Sequence, residues 1–272
     1  MKPAIRWVGA KRRLASRLAR EIEAVCPKLY IEPFLGGGAV ALAISSTIPK
    51  SLSDANLTLI DAWRCLQKHP AVVMSDLGRV EQEFGNDQDG YLRARALMNT
   101  LINLNRPLSI RRAALFLYLN ARCFNGLWRT NQNGLFNVPF GKLEKPSSID
   151  LAEATALSTF LSNTKLFDTS YREILDLYSG SLYSSAIYCD PPYHKMFSQY
   201  TKGDFTEDDQ RELAEHLERS AKLGAKIWAT NADTPLIREI YNWAKLESVE
   251  ETHVVGATGA RRGKRSCLLI RG

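Results

Sequence analysis

The chain has 272 residues, 45% hydrophobic and 24% charged, an ordinary globular composition. No run nears the ~18 apolar residues of a membrane span, and no secretory signal follows the basic N-terminus, so a cytoplasmic protein is expected. Its five cysteines make no CxxC and its four histidines no ligand cluster, so no metal site is expected, while the net charge of +7 suits a polyanionic partner.

In chain order, Leu14, Leu18, Ile22 and Val25 form one stripe of an amphipathic helix over 9–25, with Lys11, Arg12, Arg13, Arg17 and Arg20 on its polar side. A short strand at 29–31 runs into Glu32-Pro33-Phe34-Leu35-Gly36-Gly37-Gly38, and a helix of small residues is expected over 39–45. A second strand, 51–53, carries Asp54 at its tip. From about 61 to 149 the pattern turns helical, with a Gly/Asn-rich stretch at 125–141. Alternation then resumes: a helix over 149–161, a strand ending at Asp168, and a strand over 186–189 ending at Asp190. Thr206 and Asp209 predict a capping box, and Gly224 the stop of that helix. A strand over 225–231 follows, and Thr234-Pro235 opens another helix. Segments 246–255 and 265–270 read as a terminal hairpin.

Strands alternating with helices imply an α/β fold with a mostly parallel, Rossmann-like sheet. The 61–149 block is then a mainly helical insertion, which leaves 1–60 and 150–272 as one discontinuous sheet domain.

Two motifs carry chemistry. Gly36-x-Gly38-x-x-Ala41 follows a strand, and Asp54 stands 18 residues beyond Gly36 at the next strand tip. That layout lets backbone approach a cofactor while the acid accepts from ribose hydroxyls. A nicotinamide dinucleotide would use the same geometry, so a dehydrogenase stays open at this point. The second motif is Asp190-Pro191-Pro192-Tyr193. Two prolines fix φ and remove N–H donors, yet their carbonyls still accept. With a carboxylate and a ring face added, the turn suits a flat heterocycle bearing an amino group. The same turn can also simply end a strand.

Taken together the chain resembles the Dam-type, α-group DNA adenine-N6 methyltransferases. Arg6-Trp7-Val8-Gly9-Ala10-Lys11 resembles that family's N-terminal K-W-A-G-G-K block, and Glu32 to Gly38 its E-P-F-x-G-x-G loop. Leu117-Tyr118-Leu119-Asn120, Phe124-Asn125-Gly126-Leu127-Trp128-Arg129 and Phe136 to Gly141 resemble its DNA-recognition segment, and Asp190 to Tyr193 its D-P-P-Y. The resemblance implies an S-adenosylmethionine-dependent methyltransferase in which 61–149 recognises DNA. It implies cofactor contacts from Trp7, Lys11, Phe34, Gly36, Gly38, Asp54, Asp168 and Asp190. Lys11 would hold the donor's carboxylate, or is one more cation on a basic helix. Asp190, Pro191, Pro192 and Tyr193 would act on a flipped-out adenine, with Tyr193 stacked on the base.

The same resemblance makes Phe124 a wedge in the base stack, rather than a core aromatic, and Arg129 a guanine reader. Asn125, Leu127 and Pro139 flank the recognition loop. Arg6 replaces the family's lysine at a DNA-contacting position, and the two cations differ in geometry. Arg261, Arg262 and Lys264 lie in a glycine-rich basic stretch suited to phosphate, and Arg111-Arg112 either adds phosphate contacts or faces water. The implied partner is double-stranded DNA and the implied site 5′-GATC-3′; no obligatory protein partner is expected. Cytosine-N4 methylation, an RNA adenine target and a catalytically silent DNA binder are the alternatives.

Overall fold

The computed structural model describes residues 1, 3–104, 109–146, 149–194, 205–253 and 263–272, without the side chains at 251–253 and 263–265. At its centre lies strand β1 (Leu29–Glu32). On one side it pairs in parallel with β2 (Lys50–Ser53), which pairs with β3 (Thr164–Phe167). On the other side it pairs in parallel with β4 (Ser185–Cys189), which pairs with β5 (Lys226–Ala232). An antiparallel pair, β6 (Lys245–His253) and β7 (Gly263–Arg271), completes the seven-stranded order β3-β2-β1-β4-β5-β7-β6. The strand order therefore reverses between β1 and β4. The loops after those strands diverge there, which opens a crevice at the C-terminal edge.

Alternation along each strand builds two apolar layers. Tyr30, Ala186, Tyr188, Trp228 and Leu269 face one cluster, while Ile31, Ile187, Cys189, Ile227, Ala229, Leu268 and Ile270 face the other. The second layer is covered by α7 (Tyr171–Tyr178), α8 (Glu207–Lys222) and α9 (Pro235–Ile240). The first takes α1 (Arg12–Glu23), whose Leu18 and Ile22 are fully buried, at about 1.5–3 kcal/mol each. It also takes α2 (Leu57–Lys68), α3 (Pro70–Phe84), α4 (Gln88–Asn103), α5 (Ile110–Arg122) and α6 (Leu151–Phe160). Helix α5 is buried at every position from Arg112 to Arg122, because α2, α3 and α4 pack around it.

Local signals set the helix starts. Asn56, Asp87 and Ser109 accept backbone N–H groups at the starts of α2, α4 and α5, and Pro70 opens α3. Capping boxes open α6 (Asp150/Glu153), α7 (Ser170/Glu173) and α8 (Thr206/Asp209). Helix α1 is further tied to the sheet edge by Glu21, which accepts from Arg271 at 2.7 and 2.9 Å and from Trp228 at 3.2 Å. The Arg271 hydrogen bonds pull the Glu21 carboxyl down to about 2.

One expected element is corrected. Residues 39–45 form successive turns, not a helix. An α-type bond from Leu42 N to Gly38 O is followed at once by a tighter one from Ala43 N to Val40 O. One such bond does not propagate a helix. Burial of Val40, Ala41, Leu42 and Ile44 holds the segment instead. Among the described residues no helix is long and apolar enough to cross a membrane.

Candidate active site at the switch point

The loop after β1 is bound to the tip of β2. Asp54 Oδ2 accepts from Gly36 N at 3.0 Å and Oδ1 from Asn56 N at 3.0 Å. Burial raises the Asp54 carboxyl above its usual range, against the pull of those two amides. Gly36 and Gly38 hold φ of +48° and +67°, a region that suits glycine. A Cβ on Gly36 would also strike the Trp7 indole at 2.6 Å, and Trp63 donates to Gly36 O at 3.1 Å. Two tryptophans thus clasp the loop. Glu32, at the end of β1, is buried and accepts from Tyr30 Oη at 2.6 Å. Burial pushes its carboxyl up to about 8, and the nearby Asp190 adds to that push.

Across the crevice, Asp190 follows β4 directly. Thr230 of β5 donates to its Oδ1 at 2.7 Å. Lys11 Nζ lies 2.9 Å from Oδ1 and 3.0 Å from Oδ2, and donates to Gly9 O at 2.7 Å. The same ammonium sits 4.6 Å from the centre of the Tyr193 ring. Lys11 is 5% exposed, so it is no solvated cation on a helix face. Asp190, its side chain 18% exposed, accepts from Thr230 on Oδ1 and from Lys11 on both oxygens, so Oδ2 carries one of these bonds and retains a second lone pair. Pro191 and Tyr193 are buried and Pro192 is exposed.

Gly36 thus joins Trp7 to Asp54 on the β1 side of the switch point, with Gly38 in the same loop, and Lys11 joins Asp190 to Tyr193 on the β4 side. Phe34 stands in a separate aromatic group, 5.7 Å from Tyr171 and 5.8 Å from Phe205 between ring centres. Asp168, after β3, pairs with Arg64 at 2.5 Å. Partial burial would raise its carboxyl, but the Arg64 hydrogen bond leaves it below the usual value. The sequence reading did not find Thr230, Arg64, Tyr171 or Phe205. Each depends on strand order or helix packing, which no local motif states.

The Arg6 block meets the second predicted surface. Asn120 of α5 accepts from Arg6 N at 2.9 Å and donates to Arg6 O at 2.8 Å, and Arg6 Nη1 donates to Ala121 O at 3.2 Å. Beyond α5 the chain makes a loose hairpin, with bridges Cys123–Phe140 and Thr130–Phe136 and a bond from Phe124 N to Pro139 O at 2.9 Å. Phe124 is 37% exposed, which removes the core-aromatic reading. Asn125 has φ +54° and Gly126 φ +64°, and a Cβ on Gly126 would meet Arg6 Cβ at 2.7 Å. Leu127 is half-buried, Pro139 exposed, and exposed Arg129 donates to Asn137 Oδ1 at 2.9 Å. Trp128 points the other way and stacks on Phe136 at 4.4 Å.

Arg111 and Arg112 are corrected as phosphate contacts. Arg112 is 2% exposed and ion-paired to Asp61, while Arg111 pairs with Asp76 and Glu83. Arg261 and Arg262 lie outside the described residues, as does the side chain of Lys264, whose backbone belongs to β7.

The chain is similar to known proteins over nearly its whole length. Residues 7–255 match the family model described as D12 class N6 adenine-specific DNA methyltransferase. The chain is 30% identical to the type II methyltransferase M.MjaIII of Methanocaldococcus jannaschii, over 96% of this chain and 95% of that one. It is 32% identical to a DNA adenine methylase of Vibrio cholerae, over 97% and 94%. It is likewise 32% identical to the DNA N-6-adenine-methyltransferase of Escherichia phage P1, over 95% of this chain and 34% of that one. The chain belongs to the D12 class of N6 adenine-specific DNA methyltransferases.

Proposed function

We propose that the chain transfers the methyl group of S-adenosylmethionine to the N6 nitrogen of an adenine flipped out of duplex DNA, within 5′-GATC-3′. The observation that carries this reading is the Asp190 carboxylate. It sits at the switch point, with Thr230 on Oδ1 and Lys11 spanning both oxygens beside Tyr193, and Oδ2 retains a second lone pair. An adenine amino nitrogen is a weak nucleophile because its lone pair is delocalised into the ring. Asp190 Oδ2 and the Pro191 carbonyl would accept its two hydrogens. That localises the lone pair and aims it, by positioning and local electrostatics. Tyr193 would supply the stacking face that offsets unstacking of the base.

The residues around Gly36 fit the cofactor. A half-buried carboxylate at a strand tip, Asp54, stands against a glycine loop packed on Trp7, as a ribose and an adjacent chain require. When bound, S-adenosylmethionine supplies an electrophilic methyl on a sulfonium. Trp7, Lys11, Gly36, Gly38 and Asp54 would hold it, with Phe34 and Asp168 at its rim.

Residues 61–149 are assigned to DNA recognition, and 1–60 with 150–272 to catalysis. Exposed Phe124 would fill the gap left by the flipped base, and Arg129 would read a guanine beside Leu127. Arg6, Asn125 and Pro139 would line the same contact. Arg261, Arg262 and Lys264 would add phosphate contacts.

The test is methyl transfer from labelled S-adenosylmethionine to unmethylated duplexes carrying GATC or scrambled sites, with products resolved by base. N6-methyladenine confined to GATC is the expected result. N6-methyladenine in other contexts refutes the site assignment alone. Asp190→Ala should abolish transfer with DNA affinity largely kept, and retained turnover refutes the acceptor role.

A further inference from the structure

Two buried amides behind the catalytic turn have no part in the chemistry above. Gln210 of α8 is 1% exposed and Asn231 of β5 is 0% exposed. Gln210 Nε2 donates to Pro192 O at 2.8 Å. Asn231 Nδ2 donates to Gln210 Oε1 at 2.8 Å. Asn231 Oδ1 accepts from His194 N at 3.1 Å and from Ala232 N at 2.8 Å. The orientation of both amides follows from chemistry. A proline carbonyl only accepts and a backbone N–H only donates, so one arrangement of the two side chains satisfies every group.

This relay grips the turn on both sides of Tyr193: at the carbonyl before it and at the N–H after it. His194 adds a second tie, with Nδ1 2.8 Å from Thr234 Oγ1 and Nε2 2.9 Å from Glu207 Oε1. A turn with two prolines has few N–H donors to anchor it to neighbouring elements. Its position must therefore be set by donors reaching its carbonyls from outside, and Gln210 provides one.

We propose that Gln210 and Asn231 are positioning residues for methyl transfer. By drawing the Pro192 carbonyl toward α8, they fix the rotation of the turn. That leaves the Pro191 carbonyl and Asp190 as the acceptors facing the crevice, and holds the Tyr193 ring at its stacking angle. The inference rests on the assignment of Asp190 to Tyr193 as the catalytic turn.

The test compares Gln210→Met and Gln210→Glu with wild type, with Asp190→Ala alongside. Gln210→Met keeps the volume and removes both bonds. It should lower kcat about 10- to 100-fold, the scale of a small misplacement of reacting groups. KM for S-adenosylmethionine should stay within about twofold, since Gln210 is not among the residues placed around the donor. Gln210→Glu still accepts from Asn231, but donates to Pro192 O only when protonated. Its kcat relative to wild type should therefore be highest at pH 6 and fall toward that of Gln210→Met by pH 9. A residue with a merely structural role would lower thermal stability without this pH-dependent rescue. Wild-type kcat in Gln210→Met, or a pH-independent kcat ratio in Gln210→Glu, overturns the positioning role. Turnover by Asp190→Ala would instead overturn the underlying assignment of the turn.

Discussion

Glu32 offers a quantitative test of how the crevice is built. Its side chain is buried, accepts from Tyr30 Oη, and is raised from 4.5 to about 8 by burial, with Asp190 adding to the effect. The folded chain thus keeps a proton that the unfolded chain releases as pH rises above 4.5. Stability from this group is therefore complete in acid and falls as pH rises toward 8, by about 1.4 kcal/mol per pH unit. At pH 7 the ionisation penalty is about 3 kcal/mol. Glu32→Gln cannot ionise. Its amide keeps one acceptor oxygen, and weakening a buried hydrogen bond costs about 1 kcal/mol. The variant should therefore be about 2 kcal/mol more stable than wild type at pH 7 and slightly less stable at pH 4. Urea unfolding at a series of pH values measures the difference, and other titrating groups largely cancel in it. A variant-minus-wild-type difference that stays constant between pH 5 and pH 8 would show that Glu32 is ionised in the folded chain.

Three further outcomes follow from other contacts. Arg129→Ala should relax discrimination at one guanine of the target by about 1–3 kcal/mol, read as the ratio of kcat/KM for matched and single-mismatch duplexes; an unchanged ratio removes Arg129 as the reader. Asn120→Ala leaves the Arg6 N–H and carbonyl without their partner, so it should cost about 2–3 kcal/mol in chemical unfolding and raise KM for DNA. Glu21, held at about 2 by Arg271, contributes stability present above pH 4.5 and lost as pH falls toward 2. The advantage of wild type over Arg271→Met, about 1–3 kcal/mol at pH 7, should therefore shrink across that window in urea titrations.

What was legible in the sequence was local. The three-residue offset from Thr206 to Asp209 and the Thr234-Pro235 pair announce helix starts, because a cap is satisfied within one turn of chain. The strands before Asp54 and Asp190 show as short apolar or polar-tipped runs for the same reason. The helix at 171–178 escaped, although Ser170 and Glu173 carry the same kind of signal and Tyr171, Ile174, Leu175 and Tyr178 make an apolar stripe, since eight residues give only about two turns of that period. The segment at 39–45 failed in the opposite sense: its residues favour a helix, but the left-handed glycines before it and its burial impose turns.

Contacts that depend on strand order were out of reach for a different reason. Thr230 and Asp190 are 40 residues apart, and nothing near either one names the other. They meet because β4 lies beside β5 in a register that pairs Cys189 with Ala229, which puts the next residue of each strand side by side. The same register places Asn231 one position further along, behind the turn, where it can reach Gln210 and the His194 amide. Residues on one strand thus serve the turn from two sides. Thr230 addresses the carboxylate that faces the crevice, and Asn231, pointing to the opposite face of the sheet, addresses the backbone behind it. The Asp190-to-Tyr193 motif supplies the groups proposed to act, and the neighbouring strand determines where they point. A sequence read one segment at a time reveals the first of these and not the second.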